Sequence, residues 1–390
     1  MFKDYKIGII GLGYVGLPLS IAFAEKYQVV GYDINTERVS ELNIQFDKTK
    51  EIDAVQFDTK IPIQFTSELN DLQSCKIYII TVPTPISNNK EPDLSFLINA
   101  SKAIGSILKK GDIVIYESTV YPGCTEEKCV PELETSSGLI FNQDFFVGYS
   151  PERINPGDKT RPIQSIVKVT SGSTIEISRA IDNLYKSIIT AGTYLAPSIK
   201  VAEASKSIEN AQRDVNISFM NELALIFDKM NIDIDEVLEA AKTKWNFLPF
   251  KPGLVGGHCI GVDPHYLAYK AMQVGYTPKV ILSGREVNEQ MGVWMGEKII
   301  ANLAKQFSGN IKGKRVLILG FSFKENCSDI RNTKVIDVYN TLISSGLEVK
   351  IYDPLVDSEL VKNVFNLELT NSIEGNFDYI FKAVMHTVFE

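Results

Sequence analysis

The stretch Lys6-Ile7-Gly8-Ile9-Ile10-Gly11-Leu12-Gly13-Tyr14-Val15-Gly16 decides the fold of the first half of the chain. Its apolar start, Lys6–Ile10, is typical of a buried parallel strand. A helix is predicted over Leu17–Lys26, and a second strand over Gln28–Tyr32 that ends at Asp33. A glycine-rich turn between a strand and a helix, with an acid about 20 residues further on, is the fingerprint of a dinucleotide-binding Rossmann fold.

Each residue type in this fingerprint has a physical reason. Gly11 allows the tight turn, Gly13 lets backbone amides approach a pyrophosphate, and Gly16 permits close packing of helix on strand. Asp33 can bind a ribose diol and would repel a 2′-phosphate, so we expect NAD rather than NADP. Arg38 is predicted either to lie over the adenine or to be a solvated helix charge. The cofactor candidates here are Gly11, Gly13, Tyr14, Val15, Gly16, Asp33 and Arg38.

Length and composition set limits on the rest of the chain. At 390 residues we expect two or three domains, and 44% hydrophobic with 23% charged residues is ordinary for a soluble globular protein. A net charge of −8 argues against nucleic acid or an anionic membrane as the main partner, although an anionic small molecule is compatible with it.

Cysteine and histidine usage predicts neither disulfides nor a metal centre. Five cysteines at irregular spacings suggest a reducing compartment, and with three histidines a zinc site is not expected. The chain enters its first strand directly and has no apolar run of about 20 residues, so we expect no signal peptide and no membrane span. A cytoplasmic protein is predicted.

Strands and helices alternate at both ends of the chain, with helices between them. Residues 174–190 are predicted to be a helix, and the stretch from Val201 to about Met230 a longer one that joins domains and supports a homodimer interface. After Gly313 the order strand, glycine, helix, strand and aspartate returns. The further elements expected are strands Ile77–Val82, Asp112–Glu117, Phe145–Gly148, Lys314–Leu319 and Leu347–Tyr352, and helix Thr333–Ser345.

These patterns predict an α/β protein with two Rossmann-like doubly wound domains joined by a long central helix. The expected domains are 1–198, 199–305 and 306–390, and the last is expected to be truncated because it stops just after a strand. Gly320-Phe321-Ser322-Phe323-Lys324 lacks the second and third glycines of the first turn. We therefore expect it to hold a different phosphate ligand, with Lys324 as a charge or else as a solvated lysine.

Loops after later strands carry further candidates, because ligands bind at the carboxyl ends of parallel strands. Thr84 follows one strand, and Ser118 with Thr119 follows the next. Glu152 lies in the proline-flanked segment Ser150–Gly157. The loops that carry Thr84, Ser118 and Thr119 are open to an alternative interpretation as ordinary turn chemistry.

A cysteine in a glycine-rich turn is the strongest catalytic signal. Cys259 follows Gly256 and Gly257, and Asp263 comes four residues later. Glycines let a substrate approach a thiolate, so Cys259 is predicted to be a nucleophile, the alternative being a buried structural thiol. On the long helix, Lys206 and Asn210 are four apart and share one face, where they converge on a ligand or are merely solvated.

Together these segments resemble the UDP-glucose/GDP-mannose dehydrogenase family, in particular its bacterial UDP-N-acetylhexosamine 6-dehydrogenases of surface-polysaccharide synthesis. The resemblance covers the chain from Lys6 to its end. It depends on five phrases besides the glycine turn: Tyr149–Gly157, Asn210–Ile217, Thr243–Phe250, the Cys259 turn, and Gly320–Lys324 with Asp329–Asn332.

The resemblance implies an NAD-dependent, four-electron oxidation of a sugar C6 alcohol to a carboxylate. Cys259 would form a thiohemiacetal and then a thioester. Lys206 and Asn210 would stabilise oxyanions and position water, with Asp263 assisting. Glu152 would act as the base in hydrolysis, and Thr119 would hold water and substrate. It also implies cofactor contacts from Thr84, Ser118, Thr119 and Arg331, and substrate contacts from Glu152, Arg153, Ile154, Lys206, Asn210, Arg213, Phe250, Lys251, Gly253, Gly256, Gly257, Phe323 and Lys324.

One departure from the family pattern affects the substrate. UDP-glucose enzymes of the family carry an arginine near Thr243–Trp245, where this chain has only Lys244. The alternatives are a UDP-glucose 6-dehydrogenase, a two-electron dehydrogenase of the hydroxyacid type, which would have no need of Cys259, and a non-catalytic regulator that binds a nucleotide sugar.

Overall fold

The computed structural model describes residues 5–87, 89–154, 160–257 and 260–389. The chain divides into two compact units. The N-terminal unit comprises Met1–Glu209 and His265–Val274, and the C-terminal unit comprises Asn210–Pro264 and Gly275–Glu390. The α/β fold with a long central helix, predicted from the sequence, is confirmed.

The N-terminal unit is built on one twisted sheet with the strand order β3-β2-β1-β4-β5-β6-β7-β8 among the described residues. Its first six strands are parallel, and β7 is antiparallel to β6. The order of β1 to β6 is that of a Rossmann fold. The strands are β1 (Ile7–Ile10), β2 (Val29–Tyr32), β3 (Gln64–Thr66), β4 (Ile77–Ile80), β5 (Ile113–Tyr116), β6 (Phe146–Tyr149), β7 (Lys168–Gly172) and β8 (Thr193–Leu195).

Helices cover this sheet and bury its apolar strands. Residues of β1, β4 and β5 are buried throughout, as expected for strands covered on both faces. The predicted helix over 174–190 is observed as Ile175–Lys186, with Ile181 and Leu184 in the core. The helices of this sheet are α1 (Gly16–Ala24), α2 (Thr36–Asn43), α3 (Ser95–Gly105), α4 (Val130–Ser137) and α5 (Ile175–Lys186).

The long helix predicted from Val201 is α6 (Ile199–Met230), with 32 residues. It is followed by α7 (Ile234–Lys242), α8 (Asp263–Gln273) and α9 (Lys279–Gln306). None of the helices within the described ranges is long and apolar enough to cross a membrane.

The C-terminal unit contains a smaller parallel sheet with the strand order β10-β9-β11 in the described chain. The strands are β9 (Arg315–Leu319), β10 (Glu348–Tyr352) and β11 (Tyr379–Lys382), and the helices are α10 (Val335–Ser344) and α11 (Ser358–Phe365). The order repeats that of β2, β1 and β4. The return of a strand, glycine, helix and strand pattern after Gly313 is thus confirmed.

Candidate active site

The glycine turn between β1 and α1 has the geometry of a dinucleotide-binding loop. Gly11 has a φ of +93°, and a Cβ on Gly16 would lie 1.8 Å from the Gly11 carbonyl oxygen, so the turn itself requires both glycines. A Cβ on Gly13 would meet no other atom within 4 Å, which leaves this position open to a ligand. Tyr14 and Val15 complete the turn before α1 begins.

Asp33 lies directly after β2 and is held beside the turn. Its Oδ2 accepts a hydrogen bond from the Leu12 amide at 2.8 Å, and its Oδ1 accepts one from the Asn35 amide at 2.9 Å. Each carboxylate oxygen retains a further lone pair, and the side chain is half-buried, so ribose hydroxyls can still bind. The residues present therefore fit NAD, with an open turn for the pyrophosphate and an acid for the ribose.

Arg38 supports the turn from within the protein. Its Nε donates to the Leu12 carbonyl at 2.9 Å, and its Nη2 pairs with Asp47 at 2.7 Å. Burial disfavours the charged Asp47, but hydrogen bonds from Thr49, Arg38 and backbone amides lower its pKa overall. Because Arg38 is only 4% exposed, its interpretation as a solvated helix charge is wrong.

The loops after β4 and β5 are tied together at the carboxyl ends of these adjacent strands. Thr84 Oγ1 donates to the Thr119 carbonyl at 2.7 Å, and Ser118 Oγ donates to the Val82 carbonyl at 2.6 Å. Tyr266 of α8 donates to the Thr84 carbonyl at 2.8 Å. The structure therefore brings together the three predicted residues Thr84, Ser118 and Thr119.

Glu152 belongs to a buried network that the sequence did not reveal. Its Oε1 accepts hydrogen bonds from the amides of Arg153 and Ile154, both at 2.5 Å. Its Oε2 lies 3.1 Å from Lys168 Nζ, which also contacts Glu117 Oε2 at 2.6 Å. Tyr185 of α5 donates to the other oxygen of Glu117. One ammonium is thus shared by two buried carboxyls.

The network shifts the pKa values of its two carboxyls in opposite directions. Burial raises the pKa of Glu117 to about 7, although Lys168 and Tyr185 favour its charged form. Burial also opposes the charge on Glu152, but Lys168 and the two amides outweigh it and lower the pKa of Glu152. At neutral pH Glu152 is therefore ionised, whereas Glu117 holds a proton more readily than Glu152 does.

Helix α6 carries Lys206 and Asn210 one turn apart, both buried. Asn210 Nδ2 donates to Asp263 Oδ2 at 2.5 Å, so two of the predicted catalytic residues are in contact. Among the described residues, Lys206 forms no ion pair. A buried ammonium without a carboxylate partner is suited to an anionic ligand or a developing oxyanion.

Three predicted substrate residues, Arg153, Ile154 and Arg213, contact other parts of the protein or solvent. Arg153 Nη2 pairs with Glu209 of α6 at 2.8 Å, and its Nη1 donates to the Val167 carbonyl at 2.8 Å. Arg213, on the same helix, is exposed. Arg153 therefore fastens the loop after β6 to α6, and Ile154 packs against the core of the N-terminal unit.

The loop before the predicted nucleophile is fixed at two points within the C-terminal unit. Asn221 holds Gly253 through both amide atoms, donating to its carbonyl at 3.1 Å and accepting from its N–H at 2.8 Å. A Cβ on Gly257, whose φ is +85°, would lie 2.6 Å from the Phe323 ring. Phe250 is half-buried and Lys251 exposed. His258 and Cys259 lie outside the described residues.

Residues after β9 complete this arrangement. The Gly257 amide donates to the Arg331 carbonyl at 3.1 Å, and Asn332 Nδ2 donates to the Gly257 carbonyl at 3.1 Å. A Cβ on Gly256 would lie 2.7 Å from the Asn332 carbonyl oxygen. The Arg331 guanidinium pairs with Asp329, and Lys324 Nζ lies 5.5 Å from the centre of the Phe323 ring.

The sequence analysis did not predict the buried hydrogen-bond network that holds Asn221. Asn221 Nδ2 donates to Asn288 Oδ1 at 2.8 Å, and Asn288 Nδ2 donates to Asp214 Oδ1 at 2.7 Å. Arg285 Nη1 pairs with the same carboxylate at 2.7 Å. Helices α6 and α9 carry polar residues along their whole length, so no local pattern distinguishes these positions from solvated ones.

The chain matches three family models along its length. Residues 5–189 match the NAD binding domain of the UDP-glucose/GDP-mannose dehydrogenase family, residues 200–290 its central domain, and residues 317–390 its UDP binding domain.

Individual relatives agree with these matches. The chain is 54% identical to UDP-N-acetyl-D-glucosamine 6-dehydrogenase of Pseudomonas aeruginosa, covering 100% of this chain and 92% of that protein. It is 51% identical to Protein CapL of Staphylococcus aureus, covering 97% and 89%. Its fold is similar to that of UDP-D-ManNAc dehydrogenase from Pyrococcus horikoshii, with a TM-score of 0.89 at 30% identity, covering 98% and 90%. The chain belongs to the UDP-glucose/GDP-mannose dehydrogenase family and is an NAD-dependent dehydrogenase with a UDP-binding domain.

Proposed function

We propose that this protein oxidises the C6 hydroxyl of a UDP-N-acetylhexosamine to the uronic acid, by four electrons and through a covalent adduct on Cys259. For each sugar, two NAD and one water are consumed, and two NADH and three protons are released. The observation that carries the proposal is the buried pair Asn210 and Asp263, one helical turn from a buried lysine that has no ion pair in the described chain.

The residues that would hold the cofactor are those of the glycine turn and Asp33. When bound, NAD accepts a hydride from the sugar carbon at each oxidation. Gly13 leaves room for the pyrophosphate, and Asp33 binds the ribose hydroxyls. The Arg38–Asp47 pair keeps the turn in place by holding the Leu12 carbonyl.

Polar groups on α6 would stabilise the negative charge that forms on the sugar oxygen. An ammonium and an amide N–H are donors whose interaction with an oxyanion strengthens as charge develops. Asn210 is oriented by Asp263, so it need not be ordered again when substrate binds. Lys206 supplies the positive charge, and Thr119 holds water and substrate.

Cys259 would supply the nucleophile for the second oxidation. Its thiolate adds to the aldehyde, and the thiohemiacetal loses a hydride to become a thioester. Water then forms a bond to the acyl carbon as the carbon–sulfur bond breaks, and Glu152 takes the water proton. The support for this role is the fixed approach to the cysteine: Gly257 is packed on Phe323 and bonded to Arg331 and Asn332.

The preference for an N-acetyl sugar is supported by the relative at 54% identity, which is named UDP-N-acetyl-D-glucosamine 6-dehydrogenase. Lys244, where UDP-glucose enzymes carry arginine, agrees with that choice. NADH formation should be screened with UDP-GlcNAc, UDP-GalNAc, UDP-glucose and GDP-mannose. We expect turnover of one or both N-acetyl sugars, and a strong preference for UDP-glucose would refute the assignment.

A homodimer through the central helix is supported by exposed apolar side chains in the C-terminal unit. Phe219 and Met230 of α6 are 54% and 56% exposed, and Val280 of α9 is 69% exposed. A groove of about 320 Å³ between these helices is lined by Val215, Ser218, Phe219, Glu222, Lys279, Val280, Ser283, Gly284 and Val287. Light scattering should give a molar mass twice that of one chain, and Phe219→Glu should reduce this mass to that of a single chain.

The biological setting follows from the family resemblance. We place the protein in the cytoplasm and its product in surface-polysaccharide synthesis. Two observations support this: a relative named Protein CapL, and the thiols of Cys75, Cys124 and Cys129, which form no disulfide within the described part of the chain, as expected in a reducing compartment. A polysaccharide lacking the uronic acid after gene deletion would test it.

A further inference from the structure

Two groups in the buried network of the N-terminal unit have no part in the mechanism given so far. Glu117 and Lys168 are both 2% exposed; Glu117 directly follows β5, and Lys168 is the first residue of β7. A buried lysine and two buried carboxyls carry a large desolvation cost, which is not needed to form a Rossmann sheet. Lys168 Nζ contacts both carboxyls and so connects Glu152 to Glu117.

We propose that Glu117 stores the proton released when water attacks the Cys259 thioester, and receives it from Glu152 through Lys168. This proposal rests on the proposed function, because it concerns the hydrolysis of that thioester. It makes Glu117 and Lys168 members of a proton relay, neither of which needs to touch the substrate.

The transfer balances without any further reactant. Water gives one proton to Glu152 as its oxygen bonds to the acyl carbon and the thiolate leaves. Lys168 gives one of its own protons to Glu117 Oε2 at 2.6 Å, and in the same step its Nζ takes the proton of Glu152 at 3.1 Å. The lysine ends as the ammonium it was at the start, and Glu117 ends protonated.

The difference in pKa between the two carboxyls favours this direction. The lowered pKa of Glu152 makes it a weak base that will not keep a proton at neutral pH. The pKa of Glu117, raised by burial to about 7, lets it hold one. Among the residues that the structure describes, the charged or titratable groups that face Glu117 are Lys168 on β7, Glu152 after β6, and Tyr185 on α5. Hydrolysis should therefore accelerate as the pH rises through about 7, because only ionised Glu117 can accept the proton.

Glu117→Gln tests the relay directly, since glutamine has the same shape but cannot accept a proton. In rapid mixing with saturating substrate, this variant should release a burst of two NADH per active site and then turn over roughly 10- to 100-fold more slowly than wild type. Mass spectrometry should show an acyl adduct on Cys259. The inflection near pH 7 in the hydrolysis rate should disappear.

Tyr185→Phe is the matched variant, and it also decides the matter if Glu117→Gln does not fold. Removing the phenol takes away a hydrogen bond that favours ionised Glu117. The pKa of Glu117 should rise, and the inflection should move to higher pH without being lost. A purely structural role for Glu117 predicts no such movement.

The results separate this proposal from the proposed function. If wild type releases only one NADH per sugar, the proposed function fails. If wild type releases two, and Glu117→Gln hydrolyses the thioester at the wild-type rate with an unchanged pH profile, the relay is refuted. An unshifted inflection in Tyr185→Phe would refute it equally.

Discussion

The two glycine turns of this protein share their backbone geometry but differ in what they leave open to a ligand. In the N-terminal unit, Gly11 has a φ of +93° and the Leu12 amide donates to Asp33. In the C-terminal unit, Gly320 has a φ of +86° and the Phe321 amide donates to Asp353 at 2.7 Å. In both, an acid at the end of the neighbouring strand holds the turn.

The difference lies in what else reaches the acid. Asp33 is half-buried and keeps lone pairs for a ribose. Asp353 is 5% exposed, also accepts from the Ser322 amide, and lies 3.0 Å from His386 Nε2. A Cβ on Gly320 would lie 2.3 Å from the Val384 carbonyl oxygen. The space beside the second turn is thus filled by Val384 and His386, whereas the first turn stays open to a ligand. This difference explains how two related sheets serve an NAD-binding and a UDP-binding domain.

Changes to the glycines should give the largest contrast. Gly13→Ala should leave the melting temperature unchanged but weaken NAD binding roughly 10- to 100-fold, because its Cβ enters the space assigned to the pyrophosphate. Gly320→Ala should do the opposite, lowering the melting temperature and leaving NAD affinity as in wild type. Calorimetry and NADH fluorescence titration measure the two effects. Tight NAD binding by Gly13→Ala would contradict the open turn.

The next largest effect is expected from changes to the two acids, Asp33 and Asp353. Asp33→Asn should lower kcat/KM for NAD roughly 10-fold or more and bring NADP close to it, since the carboxylate binds the ribose diol and repels a 2′-phosphate. Asp353→Asn should leave the ratio of NAD to NADP untouched, because that carboxyl is occupied by His386 and three backbone amides. An unaltered ratio in Asp33→Asn would remove the basis for assigning the ribose to this residue.

A smaller effect concerns the pH dependence of the N-terminal unit. Glu203 of α6 is buried and accepts from the Gly123 amide at 2.5 Å and the Thr125 amide at 2.9 Å. Burial raises its pKa to about 7, above its unfolded value, so its contribution is complete at acid pH and is lost as the pH rises through about 7.

The free energy of unfolding should therefore fall by about 1 to 3 kcal/mol between pH 5 and pH 8 on account of this group. Glu203→Gln should flatten that slope while being less stable overall, since an amide nitrogen faces one of the two N–H donors. Glu374→Gln, at an exposed position, is the control and should leave the slope unchanged. A slope in Glu203→Gln equal to that of wild type would show that Glu203 does not titrate there.

What the sequence predicted was local. The strand, glycine turn, helix and acid of the first unit follow from periodicity and spacing within about 30 residues, and α6 from an uninterrupted run without proline or glycine. The contact between Lys168 and Glu117 joins residues 51 apart, and that between His386 and Asp353 joins residues 33 apart. Such pairs depend on strand order and side-chain packing, which no local pattern encodes.

The same limit explains why the sequence did not predict the contacts of Arg38. Its position on α2 was predicted to be either over the adenine or in solvent, but its partner Asp47 lies in a loop whose path is set by the tertiary fold. Asp33 illustrates the opposite case, because its place at the end of β2 is fixed by the strand alone. The catalytic role of Cys259 remains a prediction that only chemistry can test.

The most direct test of the account is the count of NADH formed per sugar by the purified protein. A limiting amount of UDP-GlcNAc or UDP-GalNAc is converted with excess NAD, and NADH is measured by absorbance and the product by mass spectrometry. We expect two NADH and one uronic acid per sugar for wild type, and no comparable release of uronic acid by Cys259→Ala. One NADH per sugar from wild type, or two from Cys259→Ala at the wild-type rate, would contradict the covalent four-electron mechanism.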